Sequence, residues 1–228
     1  MGAMPNKSTA RELVEQSVIA GAGMVPVAGS PVAVAFAMAM GWSYNKRMRQ
    51  WLEELANAVT ELQEESDEYL TIEDLAQDDV FTDAVVNATR AAQATHQDEK
   101  LRALRNGVLN SVSPAAPTID EQARVFRLVD ELTPAHLRLL KFLDNPEAWF
   151  LERQISIPSY LSSSTGQIIE DGMPEFRGQR PWLDLLAADL VTARLLDRNI
   201  HGMISGASLW ESSTSELGRR FLGFIADD

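Results

Sequence analysis

The chain has 228 residues, 45% hydrophobic and 23% charged, which fits one ordinary globular domain, or two small ones sharing a core, and excludes disorder throughout. With 20 basic against 33 acidic residues, the formal charge of −13 argues against a nucleic-acid partner and against spontaneous docking on an anionic leaflet. Cysteine is absent, which excludes disulfides and thiol chemistry, and the three histidines, His96, His136 and His201, are far apart, so no sequence-local zinc or triad motif is expected.

Met1-Gly2-Ala3 ahead of a second methionine, Met4, reads as a cloning scar, and residues 1–7 as a disordered start. The thin basic region and the acidic Glu12 and Glu15 do not make a secretory signal, so the expected location is the cytoplasm. From Gln16 to Asn45 there follow 30 residues without a charge. About 20 apolar residues suffice to cross a bilayer, but Pro26, Gly29, Ser30 and Pro31 break this run in its middle. The expected shape is an apolar helical hairpin over residues 17–42. Thr9 and Glu12 open its first helix, Gly21 and Gly23 end it, and Ser30-Pro31 opens the second.

Within Pro31–Gly41, Val32, Val34, Phe36, Met38 and Met40 alternate with small residues, which is the period of a strand. As a helix, the same segment places Gly29, Ala33, Ala37 and Gly41 in one row at spacing four, a surface that lets helices approach closely. Ala and Met favour helix, and the segment runs without a breaker into a charged helix. Val32, Phe36 and Met40 are then the core or inserting side chains. Lys46, Arg47 and Arg49 stand where an interfacial anchor belongs. The hairpin is either the buried centre of a bundle or an element that enters a membrane or drives oligomerisation.

Met48, Trp51, Leu55, Val59 and Leu62 extend this helix to about Tyr69. Ten acids and no base lie between Glu61 and Asp83, a solvated face whose spacing does not fit a calcium loop. Thr71 with Asp74 caps a short helix. Asp79–Thr95 carries Ala84, Ala88, Ala91 and Ala92 on one face, suited to packing against the long helix. Gln97–Val112 turns Leu101, Leu104 and Val108 inward, with Lys100, Arg102 and Arg105 available to the acidic stretch. Ser113–Pro117 cannot continue a helix and is the expected linker between a helical bundle, residues 8–112, and a C-terminal half, residues 118–228.

Thr118 with Glu121 caps a helix whose face is Ala123, Phe126, Val129 and Leu132. Thr133-Pro134 opens the next, closed by Asn145-Pro146. Residues 156–179 read as loop. Pro181–Asp197 is a helix with Leu183, Leu186, Leu190 and Leu195 inward. Ile200–Ile204 and Ser208–Ser212 read as a short β-hairpin, and Thr214–Ile225 as a last helix with Leu217, Phe221 and Phe224 inward. Helices followed by helix, hairpin and helix is the order of a winged-helix module. Asp184, Asp189 and Asp197 against Arg194 suit protein contact better than DNA.

The pattern Leu132-Thr133-Pro134, Leu137, Leu140, then Leu195 and Ile200, then Thr214, Leu217-Gly218 and Phe221 resembles the C-terminal part of the abortive-infection-alpha family, bacterial proteins linked to phage defence. The resemblance covers about the last hundred residues and implies a role in phage defence, with no catalytic residues to carry over. The apolar hairpin within an amphipathic shell is similar to that of colicin-type pore formers. Gly21-Ala22-Gly23 lacks the third glycine of a dinucleotide fingerprint, and neither a phosphate loop nor a nucleophile elbow is present. The sequence therefore predicts a mainly α protein with no catalytic, cofactor-binding or metal site and no small-molecule substrate. The expected function is that of a bacterial effector, covered at rest, that acts on the inner membrane or self-associates; the competing class is a scaffold binding a protein partner.

Overall fold

The computed structural model describes residues 31–65, 71–160, 162–197, 200, 203–205 and 207–227. The chain divides into two units, Met1–Lys46 and Arg47–Asp228. The protein is mainly helical. Helix α1, Pro31–Glu65, is continuous over 35 residues, so the alternating segment is helix and not strand. The first hairpin helix and Gly29 lie outside the described residues, as do residues 66–70, where the long helix was expected to end.

Several of the other described helices start at side-chain caps. Thr71 and Asp74 close a capping box on α2, Ile72–Gln77. Asp78 accepts from the Phe81 N–H at the start of α3, Asp79–Ala94. Helix α4, Asp98–Asn110, is followed by a turn through residues 113–117. A second capping box, Thr118 with Glu121, opens α5, Ile119–Glu131. Then come α6, Pro134–Asp144, and α7, Pro146–Glu152, whose first turn is capped by Asn145. Such a side-chain cap is worth about 1 kcal/mol, which is why the starts at Thr71 and Thr118 were readable from the sequence, whereas α7 was not foreseen.

The hydrophobic core runs from Trp51 to Phe224 without interruption at residues 113–117. Helix α3 packs chiefly on α4 and α5. Its row of Ala84, Ala88, Ala91 and Ala92 is buried as expected, with α4 and α5 as its principal neighbours. Segment 113–117 is therefore a turn inside one core: Phe126 and Phe224, both from beyond it, cover Gly107 on α4, with a 5.8 Å edge-to-face contact between their rings.

Residues 156–179, expected as loop, hold more structure. Strand β1, Ser162–Ser164, leads into α8, Thr165–Gly172, and a 3-10 turn, Pro174–Phe176. Ser164 caps α8, and Ile168, Ile169, Met173 and Phe176 are buried, so a serine- and glycine-rich composition concealed a capped apolar helix. Helix α9, Arg180–Thr192, buries Leu183, Leu186 and Leu190. Strand β2, Met203–Ser205, pairs antiparallel with β1, Ser163 opposite Ile204. The expected local hairpin with Ser208–Ser212 does not form: Ala207–Leu209 is a 3-10 turn, and the backbone of β2 is satisfied by a strand about forty residues earlier. Helix α10, Glu216–Ile225, closes the described chain with Phe221 and Phe224 inward; Leu217, expected with them, is exposed.

Candidate functional site

In the uncharged part of α1 the described large side chains face solvent. Phe36 is 66% and Trp42 70% exposed, and Met38, Met40 and Tyr44 are exposed as well. Five large apolar or aromatic side chains in nine residues is an unusual surface for a monomer, since large exposed apolar patches mark contact sites. The expectation that this element is covered at rest does not hold for these side chains. Gly41 is half-buried; of Val32, Ala33 and Ala37 only the helical backbone is described. Lys46, Arg47 and Arg49 are exposed, and none makes an ion pair with a described residue.

A change occurs at Met48. From there the same helix turns Trp51, Leu55, Ala58 and Val59 into the core, and the Trp51 indole N–H donates to Thr89 Oγ1 at 3.1 Å. One half of α1 is thus ordinary core helix, and the other half is apolar with its large side chains exposed among the described residues. No described helix is long and apolar enough to cross a membrane.

Two polar clusters escaped the sequence reading because their members are distant in the chain. At the junction of α5 and α6, Lys100 is buried and donates from Nζ to the carbonyl of Asp130 at 2.7 Å. Burial pushes its pKa down, and the Asp130 carboxylate opposes that shift. Next to it His136 is buried, with Nδ1 taking the Thr133 N–H at 3.1 Å and facing Thr133 Oγ1 at 2.8 Å. That leaves the proton on Nε2, 3.2 Å from Asp189 Oδ2 on α9. Burial holds the imidazole pKa below its ordinary value, the Asp189 bond and charge work against this, and Lys100 adds to it. A hydroxyl, an imidazole and a carboxylate in line are the parts of a nucleophilic triad. Here Nδ1 is already engaged by a backbone N–H, so the trio closes the first turn of α6 and ties it to α9.

The second cluster fastens α10. Asn106 Nδ2 donates to the Ile225 carbonyl at 3.0 Å and to Asp227 at 2.9 Å; Asn110 Nδ2 donates to the carbonyls of Phe224 and Ala226. These are the terminal carbonyls that a helix leaves without partners. Arg105 adds an ion pair to Asp227 at 3.4 Å, so Arg105 and Lys100 reach Asp227 and Asp130, and neither pairs with a described residue of the acidic stretch.

An open groove of about 560 Å³ lies between Gln97, Arg102, Thr133, Arg138 and Trp182. Its Arg138 is held by both oxygens of Glu99 at 2.9 Å. No group of three or more potential metal ligands occurs among the described residues. His96, expected at the surface, is exposed between α3 and α4. No family model, curated protein or solved structure matches the chain.

Proposed function

We propose that this is a non-enzymatic bacterial effector whose N-terminal apolar segment acts on a membrane or drives self-association, in a setting of phage defence. The observation that carries the reading is the exposure of Phe36, Met38, Met40 and Trp42 on a helix that is otherwise anchored in a core through Trp51 and Leu55. A segment kept only to fill an interior has no reason to leave these side chains in water, where each forfeits roughly 1.5–3 kcal/mol of burial. Trp42 and Tyr44 followed by Lys46, Arg47 and Arg49 repeat the order of aromatic belt and basic flank found at membrane boundaries. The protein is cytoplasmic until it reaches the inner membrane. Expression in bacteria tests this: the wild-type chain is expected to arrest growth and fractionate with the inner membrane, and Phe36→Asp to do neither while remaining folded. Equal behaviour of the two would contradict it.

A second reading, a scaffold for a protein partner, draws on the C-terminal half. The outer side of its helix α9 carries exposed Trp182, Leu185 and Asp189 with no base among them. That face suits a protein rather than a phosphate backbone.

A further inference from the structure

We infer that α1 enters a bilayer end-on, through one leaflet, with anionic phospholipid as its partner. This inference rests on the membrane reading above and adds its orientation, depth and lipid class.

The orientation follows from helix geometry. At about 100° per residue, Phe36, Met40 and Tyr44 fall on one side of α1, and Met38 and Trp42 on the opposite side. All five are exposed. A helix that docks on a protein surface, or lies flat in a membrane interface, has one apolar and one polar face. A helix that is apolar on opposite sides needs an apolar environment around it, and a hydrocarbon layer entered end-on supplies one.

The charges continue the pattern. By the same geometry Arg47 prolongs the Phe36 side, Arg49 prolongs the Trp42 side, and Lys46 lies between. The change from apolar to basic therefore happens on both sides at one level, across about 4.5 Å of helix axis. A boundary that cuts across the axis fits a plane of phosphates perpendicular to the helix. A flat-lying helix would carry its basic residues along its length.

The length sets the depth. Pro31–Asn45 is uncharged and helical, which at 1.5 Å per residue reaches roughly 22 Å. A hydrocarbon core of about 30 Å is too thick for it, whereas one leaflet of about 15 Å with its headgroups is not. Ser43, Tyr44 and Asn45 then stand at the headgroups and Phe36 among the acyl chains.

Lipid class is decided at short range. Although the chain carries −13 overall, charges more than about 8 Å apart are largely screened at physiological salt. The residues that touch the surface are Lys46, Arg47 and Arg49, exposed and unpaired with any described carboxylate. This overrides the net-charge argument against anionic lipid at the one place where contact is made.

The absence of cysteine makes the test direct, because a single introduced thiol is a unique labelling site. Phe36→Cys, Met40→Cys and Tyr44→Cys of the full chain, each carrying an environment-sensitive fluorophore, are mixed with vesicles of phosphatidylcholine alone or with added phosphatidylglycerol. Depth is read by lipid-borne quenchers. The label at 36 is expected deepest, 40 intermediate and 44 shallowest. Binding should be about a hundredfold tighter with phosphatidylglycerol, following about fivefold for each of the three basic residues. The joint variant Lys46→Glu, Arg47→Glu, Arg49→Glu should lose that preference. Equal depths at 36 and 44, or equal affinity for the two vesicles, would overturn this inference and leave the membrane reading standing. No binding to either vesicle, with self-association seen by sedimentation, would overturn the membrane reading itself.

Discussion

Arg194 occupies the left-handed region at φ 62°, just past the end of α9. The Leu195 N–H reaches back to the Leu190 carbonyl at 2.9 Å and the Arg194 N–H to Val191, a helix ending normally built on glycine. Its side chain is exposed, so Arg194→Gly is expected to raise stability by about 1 kcal/mol, read from urea midpoints. Gly218 is the opposite case. A Cβ there would come within 2.2 Å of the Leu195 carbonyl oxygen, which is backbone and cannot move aside. Gly218→Ala should therefore lose roughly 1–3 kcal/mol even though alanine is the better helix former; a gain in stability would refute this packing. At His136 the folded pKa lies below the ordinary value because burial disfavours the charged ring. The unfolded chain then takes up its proton first as pH falls, so the contribution of the neutral ring is full above about pH 6.5 and is lost on acidification through it. Relative to wild type, His136→Asn should show a flatter decline in unfolding midpoint between about pH 7.5 and 5.5.

Among the elements, the Asn106 and Asn110 amides hold three terminal carbonyls of α10 and its following residues. Asn106→Ala removes its hydrogen bonds to the half-buried Ile225 carbonyl and the exposed Asp227 carboxylate and is expected to lower stability by about 1 kcal/mol, with faster amide exchange confined to the last turn of α10. Elements with a local signal were legible in the sequence. The capping pairs Thr71/Asp74 and Thr118/Glu121 and the three-four spacing of Leu183, Leu186 and Leu190 place α2, α5 and α9 without reference to any distant residue. What escaped depends on distant partners. Strand β1 exists through β2, α8 hides in a glycine-rich stretch, and Asp189 meets His136 across 53 positions. In the candidate site, Phe36, Met40 and the basic triplet were visible as an uncharged run with a charged edge. Their exposure was not, because an all-round apolar helix reads equally as core. Met38, Trp42 and Tyr44 lay in the same run; an aromatic pair beside a basic flank was the signal that could have added them.

At the scale of the whole molecule, α1 is a helix with two different halves. Beyond Met48 it is part of a core that continues through Phe224, and before Lys46 its described large side chains are exposed. The same substitution should therefore have opposite effects on its two halves. Leu55→Asp buries an unpaired charge and is expected to unfold the protein, with a loss on the order of 3–5 kcal/mol. At Phe36 an aspartate stays in water, where surface changes stay within about 0.5 kcal/mol. The decisive measurement is vesicle flotation of the wild-type chain and Phe36→Asp, with a thermal melt of each. The wild type should float with phosphatidylglycerol-containing vesicles, and the variant should remain at the bottom of the gradient with an unchanged melting temperature. A variant that melts far earlier would make this segment structural core, and one that floats as well as the wild type would remove it from membrane contact altogether.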